Sequence, residues 1–453
     1  MVKIGLEIHG YLVCKEKLFC KCPASYKTAK PNTNICPICT AQPGSKPMLP
    51  NAEALQKITA IALMLGCKIN NRVVWQRKHY DYPDLPKGYQ DTISGAYSVP
   101  IGEKGEFLGI RIREAHLEED PASWNPETGY IDYNRCGLPL VEIVTEPDFS
   151  SAEQVRKWLQ QLVITLSYIH ALEKAAGIKA DVNISTTGER VEIKNLNSAY
   201  NIVKAIGYEV ARQLALAKRG QKIERETRAY DERRKITIAM RKKELAADYR
   251  FIPDPDLPVI DIKKEIVEKI RKGLPELPHL KIERFVKEYK IEKKAASVLT
   301  KNKEIADFFE KVLTYKVDKK LAAYWTTIEL LRILNYNKKT LRDVNIKAEH
   351  FAQLLELVKK KKITETAAKK ILNSFIPNSF SPLKKLEKIE RITDKKKIEI
   401  ICKKVMEEQK KAVGDYKAGR REALHFLIGK VMSSTRGRAD NEIVNEMLKK
   451  LLR

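Results

Sequence analysis

The first ten residues read MVKIGLEIHG (1–10), an apolar run that Glu7 and His9 interrupt. In a β-strand, residues two apart in sequence point to the same side of the sheet. Glu7 and His9 would therefore share one face of the strand, while Leu6 and Ile8 would share the other. The pattern predicts a sheet with one face packed on a core and a second face that carries a carboxylate beside an imidazole.

The rest of the chain predicts an α+β fold in which strands come first and helices follow. Residues 1–263 mix short strand-like runs with Gly and Pro, and they include two helical stretches that begin near Ser151 and at residue 198. Residues 264–378 lose the strand signals and read as a helical domain, and 379–453 read as a small helical tail domain. We place the linker between these two helical parts within residues 373–382, which contain two prolines.

The charge is distributed unevenly along the chain. The formal net charge is +27, yet residues 1–150 contain 17 Lys and Arg against 17 Asp and Glu, which leaves 68 against 41 for residues 151–453. A neutral, acid-containing front and a basic rear predict a site for a cation or small substrate joined to a surface that binds a polyanion. A lysine-rich surface of thermophile type is the alternative interpretation.

The chain has no apolar run of the roughly 18 residues that a membrane span requires. Its first residues do not resemble a signal peptide, because an acid and a histidine interrupt the apolar run at once. We therefore expect a cytoplasmic protein that does not enter a membrane.

Cysteines are concentrated near the N-terminus, where five of the eight lie within residues 14–39. Two close pairs, separated by thirteen residues, offer four thiolates to one ion: Cys20, Cys22, Cys36 and Cys39. This spacing favours a structural Zn²⁺ site in an insertion near residues 20–39, since four thiolates complete a tetrahedral zinc site. The alternative is that these cysteines are small buried apolar residues.

Acidic residues recur in three strand-like stretches. Glu7 and His9 lie in the first, Glu118 lies in HLEED (116–120), and Glu142 lies in VEIVTEP (141–147). A carboxylate flanked by apolar residues must find a cation or a donor, because burying it alone costs several kcal/mol. Oxygen-dominated ligands of this kind suit Mg²⁺ or Mn²⁺. Local pairing with Arg or Lys is the alternative.

Two further segments are candidates for substrate contact. The loop RKHYDYPDLPKGYQ (77–90) is dense in Lys, His, Tyr and Asp, which suits a substrate channel or a phosphate-binding segment as well as an ordinary surface loop. VEIKNLNSAY (191–200) places Asn195 and Asn197 just before a helix, where they could cap it or line a site. The chain has no phosphate-binding loop of the GxxxxGK(S/T) type and no GxGxxG motif after a strand, so a nucleotide would need another binding device.

These motifs, taken together and in order, resemble one family. The matching segments are IGLEIHGYL, KLFCKCP with PNTNICPIC, RKHYDYPDLPKGYQ, HLEED, DYNRCGLPLVEIVTEPD, VEIKNLNS, ETRAYDE, DYRFIPDPDLP and DYKAGRREALHFLIGKVM with GRADNEIVNEML. They are similar to the B-type subunits of the Glu-tRNA(Gln)/Asp-tRNA(Asn) amidotransferases, over essentially the whole chain. The related E-type subunits carry a large extra domain for which residues 259–382 leave no room, although an E-type, glutamyl-only enzyme remains an alternative.

The resemblance implies a fold and an activity. The front would be a β-rich cradle domain that uses ATP to phosphorylate the side-chain carboxylate of a mischarged aminoacyl-tRNA. Ammonia from an A-type amidase subunit would then replace the phosphate, within an assembly that also contains a small C-type subunit. The resemblance also implies one divalent-cation site, Mg²⁺ or Mn²⁺, formed by Glu7, His9, Glu118 and Glu142.

The resemblance implies roles for further residues of the cradle. Lys78, Tyr80 and Tyr82 resemble residues near the channel mouth and active site, and Lys87 resembles a phosphate or carboxylate contact. Three others would border the site: Asp181, Asn195 and Asn197. The sequence departs from the family just before Asp181, where EKAAGIKADVNIS (173–185) lacks the usual Arg and Lys179 is the candidate replacement.

The rear resembles the family's helical domain and its YqeY-like tail, which hold the tRNA elbow. Four tail cations are candidate tRNA contacts: Lys417, Arg420, Arg421 and Lys430. The alternative for them is an ordinary solvated surface. For the whole chain, the alternative to an enzyme is a tRNA-binding scaffold with a vestigial front, and converging carboxylates argue against that.

Overall fold

The computed structural model describes residues 2–172, 178–240, 250–385 and 390–452, except for the side chains of Asn195 and Lys385. The chain forms two compact units, Met1–Leu277 and Pro278–Arg453. The first unit contains all the named strands, and the second consists of helices and the segments that connect them. The predicted α+β class is therefore confirmed, while the predicted division into three domains stays a prediction.

The strands of the first unit are numbered in sequence order. They are β1 (Lys3–Tyr11), β2 (Lys68–Ile69), β3 (Arg72–Val73), β4 (Gln76–His79), β5 (Tyr89–Thr92), β6 (Gly102–Phe107), β7 (Ile110–Glu119), β8 (Ser123–Trp124), β9 (Ile131–Asp132), β10 (Pro139–Thr145), β11 (Lys179–Ser185), β12 (Val191–Leu196), β13 (Glu226–Asp231), β14 (Ile236–Ala239), β15 (Arg250–Pro253) and β16 (Ile260–Asp261).

Within the described residues, twelve of these strands form one mixed sheet. Its main order is β14-β13-β12-β11-β1-β10-β7-β5-β4-β15, with β6 paired to β7 and β2 paired to β6. The pairs are antiparallel apart from β12 with β13. The N-terminal strand β1 therefore lies near the middle of the sheet, between β10 and β11.

The register of the central strands separates the two faces of the sheet. Opposite His9 in β1 lies Glu142 in β10, and opposite Glu142 lies His116 in β7. The alternating residues of the same strands are apolar and buried in one core: Ile4, Leu6, Ile8, Ala115, Leu117, Val141, Ile143, Ala180, Val182 and Ile184. One face of the sheet is thus apolar and the other is charged, as the first ten residues predict.

Three helices of the first unit pack on the apolar face: α1 (Ala52–Met64), α2 (Ala152–Ser167) and α3 (Ala199–Lys218). A fourth helix, α4 (Lys264–Gly273), has no buried residue and contacts α1. Helix α2 begins where predicted, and the Ser151 hydroxyl accepts a hydrogen bond from the backbone amide of Gln154 at 3.2 Å. Its residues Val155, Trp158 and Leu162 join the core of the sheet, and the Trp158 indole donates a hydrogen bond to the Phe107 carbonyl at 2.8 Å.

The helices of the second unit are α5 (Pro278–Tyr289), α6 (Lys293–Leu299), α7 (Lys303–Leu313), α8 (Lys319–Tyr324), a π-helical turn (Trp325–Leu330), α9 (Leu331–Tyr336), α10 (Ala348–Lys359), α11 (Glu365–Asn373), α12 (Lys395–Glu408), α13 (Lys410–Lys417), α14 (Glu422–Ser434) and α15 (Asn441–Leu451). Short 3₁₀ turns occur at Leu341–Asp343 and Pro382–Lys385. The unit contains two separate apolar clusters, one within residues 285–375 and one within 398–452. The second lies within the predicted tail.

Candidate functional site

The charged face of the sheet brings together three of the predicted cation ligands. His9, Glu118 and Glu142, here called the cation group, each offer a ligand atom within 4.8 Å of the others. His9 Nε2 lies 3.4 Å from Glu142 Oε2. His9 lies on β1, Glu142 on the adjacent strand β10, and Glu118 on β7, which pairs with β10. The register of the sheet therefore fixes their spacing.

Charge compensation within the cation group keeps its carboxylates ionised. Burial alone would raise the pKa of Glu142, but contacts with His116 and His9 hold it well below the usual range. Burial alone would lower the pKa of His9, but Glu142 raises it to about 9. The pKa of Glu118 is also lowered, against burial and the charge of Glu142, by His116 and by Lys78. The group therefore presents anionic oxygens at neutral pH.

Glu7 belongs to a second group instead of the first. Its carboxylate and those of Asp181 and Glu192 offer atoms within 4.8 Å of one another. Glu7 shares β1 with His9, whereas Asp181 lies on β11 and Glu192 on β12. The Asn183 amide donates a hydrogen bond to Glu7 Oε1 at 2.9 Å. Burial, followed by the charges of Glu142 and Glu192, raises the pKa of Glu7. The sequence thus predicts the face on which Glu7 lies, and the part of Glu7 in the predicted cation site stays a prediction.

Lys194 supplies positive charge to this second group. Its Nζ atom lies 2.8 Å from Glu192 Oε1 and 3.2 Å from Asp181 Oδ2. The neighbouring carboxylates raise the pKa of Lys194 despite its burial. Lys194 therefore already offsets part of the charge near Glu7.

The cation group fits a divalent ion in spacing and chemistry. An ion with metal–ligand distances of about 2.0–2.6 Å can bridge ligand atoms separated by less than about 5 Å. Carboxylate oxygens with a single imidazole suit Mg²⁺ or Mn²⁺. His9, Glu118 and Glu142 are thus the residues that would hold such an ion.

Lys78, Tyr80 and Tyr82 lie at the β4–β5 side of the sheet. Lys78 pairs with Gln90 across the β4–β5 ladder, and the Gln90 amide donates a hydrogen bond to Glu118 Oε2 at 3.2 Å. The Tyr80 hydroxyl lies 3.4 Å from Gln90 Oε1. Lys78 thus lies close enough to lower the pKa of Glu118, and its predicted place near the active site stays a prediction.

An aromatic cluster continues from Tyr80 along the following loop. The Tyr80 and Tyr82 rings are 6.0 Å apart, and the Tyr82 ring lies 6.4 Å from the Trp124 ring. Tyr82 is exposed. Tyr80 and Tyr82 also line a surface pocket with Pro83 and Leu85. The cluster thus borders an open depression beside the charged face.

Lys87 is engaged by carboxylates on the other side of the sheet. It forms salt bridges with Asp91 and Glu119, which alternate with Gln90 and Glu118 along their strands. These two carboxylates raise its pKa against the effect of burial. Its predicted contact with phosphate stays a prediction, and the two buried salt bridges would compete with it.

The remaining predicted residues lie around the β11–β12 side. Asp181 belongs to the second acidic group, and Lys179 pairs with His9 in the β1–β11 ladder. Residues 173–177, the first part of the stretch in which the sequence departs from the family, lie outside the described residues, as does the side chain of Asn195. Asn197 is exposed. The N-cap of α3 is Ser198, whose hydroxyl accepts a hydrogen bond from the backbone amide of Asn201 at 3.1 Å, so the alternative that Asn197 caps this helix is wrong.

The four predicted zinc ligands converge. Cys20, Cys22, Cys36 and Cys39, here called the thiol group, offer Sγ atoms within 4.8 Å of one another. Tetrahedral zinc with Zn–S distances of about 2.3 Å places its sulfur atoms about 3.8 Å apart, which this group satisfies. Two tight turns produce the convergence, one closed by the Lys17 amide bonded to the Cys22 carbonyl and one by the Thr40 amide bonded to the Cys36 carbonyl. The group therefore fits Zn²⁺.

A buried lysine accompanies the thiol group. Lys17 is 1% exposed, and its Nζ atom lies 3.5 Å from Cys39 Sγ and 3.1 Å from the Tyr133 carbonyl oxygen. A hydrogen bond from Cys20 and the charge of Lys17 contribute to lowering the pKa of Cys39 to about 5. At least one of the four sulfurs is thus favoured as a thiolate.

Sequence reasoning missed His116, the first residue of HLEED. Its Nε2 atom lies 3.3 Å from Glu142 Oε2 and 3.7 Å from Glu118 Oε1. Strand alternation could have found it, because His116 and Glu118 are two residues apart, as Glu7 and His9 are. Asn183, Glu192 and Lys194 were missed for a different reason, since the pairing of β11 and β12 brings them to this face.

All four predicted tRNA contacts lie exposed on α13, on α14 or in the turn between them. Lys417 ends α13, Arg420 and Arg421 follow in the turn, and Lys430 lies in α14. Arg420 pairs with Asp415 at 3.3 Å, and Lys430 Nζ lies 5.2 Å from the centre of the exposed Phe426 ring. The four cations thus lie in one segment, which consists of α13, α14 and the short turn between them.

The fold and its sites define an α+β protein with candidate centres for two metal ions and a basic helical rear. Residues 2–268 match the family described as GatB/GatE catalytic domain, and residues 307–452 match the GatB domain. The chain belongs to this GatB/GatE family, which confirms the resemblance.

Similar proteins cover the whole chain. It is 45% identical over 459 residues to the B-type subunit of the aspartyl/glutamyl-tRNA(Asn/Gln) amidotransferase from Methanopyrus kandleri, with 100% of this chain and 98% of that protein covered. The protein of the same description from Methanothermobacter thermautotrophicus is 46% identical over 452 residues, with 99% of each chain covered. That from Methanocaldococcus jannaschii is 45% identical over 467 residues, covering 100% of this chain and 98% of that protein.

Proposed function

We propose that the chain activates the side-chain carboxylate of Glu-tRNA(Gln), Asp-tRNA(Asn) or both with phosphate from ATP, and then directs ammonia to the activated group. The chain is a B-type component of an aminoacyl-tRNA amidotransferase, as its similarity to such proteins over the full length indicates. The observation that carries the chemical proposal is the convergence of His9, Glu118 and Glu142 on the charged face of a domain of this family.

Activation is needed because a carboxylate is a poor acyl donor. An oxygen of the substrate carboxylate attacks the γ-phosphorus of ATP, the bond from that phosphorus to the β–γ bridging oxygen breaks, and ADP leaves. Ammonia then attacks the acyl carbon and loses a proton, and inorganic phosphate departs. Carboxylate, ATP and ammonia thus yield amide, ADP and phosphate.

Phosphoryl transfer depends mainly on positioning and on charge compensation. When bound, Mg²⁺ or Mn²⁺ would supply positive charge to the phosphate oxygens. His9, Glu118 and Glu142 would hold the ion, with Glu7 hydrogen-bonded to Asn183 on the next strand. Lys78, which lowers the pKa of Glu118, is the proposed protein cation for charge that develops on the transferred phosphoryl group.

Other surfaces of the first unit support the substrate. The aromatic cluster of Tyr80, Tyr82 and Trp124, of which Tyr82 is exposed, is a proposed wall of the path by which substrate or ammonia reaches the charged face. Asp181, Asn195 and Asn197 are proposed to border the same site. The thiol group is proposed to hold a structural Zn²⁺ that fixes the loop of residues 20–39.

The chain is proposed to act within an assembly and in the cytoplasm. Ammonia would come from glutamine through an A-type amidase subunit, and a small C-type subunit would complete a heterotrimer. The exposed cations of α13 and α14 would bind tRNA phosphates. No helix of the described residues is long and apolar enough to cross a membrane.

The decisive experiment separates an enzyme from a tRNA-binding scaffold. The chain is co-purified with its A-type and C-type partners, and amidation of Glu-tRNA(Gln) and Asp-tRNA(Asn) is measured separately. We expect Glu118→Gln to reduce amidation and tRNA-stimulated ATP hydrolysis by at least about 100-fold, since it removes an anionic ligand, and to leave tRNA affinity unchanged.

Glu106→Gln is the matched control, because Glu106 is an exposed glutamate on β6 of the same sheet. It should retain wild-type amidation. Equal activity of the Glu118→Gln and Glu106→Gln complexes would contradict the proposed site, and no amidation of either tRNA by the wild-type complex would contradict the proposed function.

A further inference from the structure

His116 is a buried imidazole surrounded by carboxylates. Its side chain is 1% exposed, and it lies directly opposite Glu142 in the β7–β10 ladder. Its Nε2 atom lies 3.3 Å from Glu142 Oε2 and 3.7 Å from Glu118 Oε1, whereas its Nδ1 atom lies 3.3 Å from Glu114 Oε1. Each ring nitrogen therefore faces a different part of the charged surface.

Neither ring nitrogen of His116 makes a well-aligned hydrogen bond within the described part of the chain. Leaving a buried polar group without such a bond costs about 1–3 kcal/mol, so packing alone does not account for an imidazole at this position. The contact distances show what the ring nitrogens approach. Nε2 approaches two members of the cation group, which is the charged centre of the proposed reaction.

The other side of the ring is held by a separate contact. Glu114, which faces Nδ1, accepts a hydrogen bond from the Ser94 hydroxyl. Ser94 follows strand β5, so residues from two neighbouring strands fix the position of the carboxylate behind His116. Glu114 thus holds the imidazole at Nδ1, while Nε2 faces Glu142 and Glu118.

We propose that His116 is a positioning residue that holds Glu142 and Glu118 in the orientation needed to bind a divalent cation. The inference rests on the proposed function and adds a residue that contacts the ligands without being one of them. Residues that contact and orient metal ligands commonly change metal affinity by about 10- to 100-fold when they are replaced. The contact through Nε2 is the one that matters for the cation, and the contact through Nδ1 anchors the ring.

Two amide substitutions separate the roles of the two ring nitrogens. The amide nitrogen of His116→Gln can occupy nearly the position of Nε2, whereas that of His116→Asn can occupy nearly the position of Nδ1. We expect His116→Gln to bind Mn²⁺ within about threefold of wild type and His116→Asn to bind it about 10- to 100-fold more weakly. A residue that only fills volume would not distinguish these variants in this order.

Mn²⁺ binding is measured by electron paramagnetic resonance on the full chain in the assembled complex, without nucleotide or tRNA. Zinc content and thermal unfolding show whether each variant is folded. If His116→Asn does not fold, Glu114→Gln replaces it as the test, since it weakens the anchor behind the ring and should reduce Mn²⁺ affinity about three- to tenfold. The Glu118→Gln complex gives the background binding outside the cation group.

The outcomes distinguish this inference from the proposed function. Equal losses for His116→Gln and His116→Asn, or no loss in either, would overturn the positioning role. The same conclusion follows if Glu114→Gln, used in place of an unfolded variant, binds Mn²⁺ as wild type does. Wild-type Mn²⁺ binding that Glu118→Gln leaves unchanged would overturn both the inference and the proposed cation site.

Discussion

At the residue scale, several carboxylates lie close together on the charged face of the sheet. Five carboxylates lie on adjacent central strands: Glu7, Glu118, Glu142, Asp181 and Glu192. Carboxylates at such distances raise one another's pKa unless cations or donors compensate them. His9 and His116 compensate Glu142, and Lys194 compensates the second group. The negative charge that remains uncompensated favours the binding of a divalent ion to this face.

The thiol group raises the same problem, because four thiolates around Zn²⁺ carry a net charge of −2. Lys17 is the buried cation beside them. We expect Lys17→Met, which keeps most of the side-chain volume but removes the charge, to release zinc to a chelator at about tenfold lower chelator concentration. A colorimetric chelator titration of the zinc-loaded complex measures this change.

Lys21→Met is the control for that substitution. Lys21 lies between Cys20 and Cys22, but its side chain is exposed and pairs with Glu16 at 2.7 Å. It should release zinc as the wild type does. Identical titration curves for Lys17→Met and wild type would show that the buried charge has no part in holding the ion.

At the element scale, strand β1 shows how far sequence reasoning can reach. Alternation alone predicts that Glu7 and His9 share a face opposite Leu6 and Ile8, and the structure agrees. The distribution of Glu7 and His9 between two groups depends on which strands lie on either side of β1, and that information is absent from a local pattern. The pairing of β1 with β10 and β11 decides it.

The same distinction explains Lys87. The loop composition correctly indicates a cluster of polar groups, but a Lys in such a loop can face either side of the sheet. Asp91 and Glu119 lie on the side opposite Gln90 and Glu118, and Lys87 joins them. The start of α2 was more accessible, because a serine cap and a 3.6-residue period are local signals. The cap of α3 was not recognised, because Asn195 and Asn197 precede Ser198 and belong to equally good capping residue types.

Helix α2 carries a stability prediction at this scale. Leu162 is fully buried against the sheet, whereas its neighbour Val163 is 47% exposed. We expect Leu162→Ala to reduce the free energy of unfolding by about 2–5 kcal/mol, because it removes buried methyl groups and leaves a cavity. Val163→Ala should change it by less than about 0.5 kcal/mol. Denaturant unfolding of both variants, followed by tryptophan fluorescence, tests the orientation of α2.

At the scale of the whole molecule, the proposed function assigns the chemistry and the tRNA affinity to different parts of the chain. The neutral N-terminal third contains the three cation-group residues and the thiol group, while all of the excess positive charge lies behind residue 150. Contacts with phosphates give affinity that falls steeply with salt and carry little sequence information. Charge in the rear can therefore set how tightly tRNA binds without altering the chemical step in the front.

This division predicts the behaviour of the triple variant Lys417→Gln, Arg420→Gln and Arg421→Gln. Each lost phosphate contact should lower the slope of log affinity against log salt by about 0.7–0.9, so the variant should lose roughly two to three units of slope. At saturating tRNA its amidation rate should equal that of the wild type, while the KM for tRNA rises. The control replaces three exposed lysines elsewhere in the same unit by glutamine: Lys338, Lys339 and Lys361. If the control loses as much slope as the tail variant, binding depends on overall charge, and the α13–α14 segment has no special role.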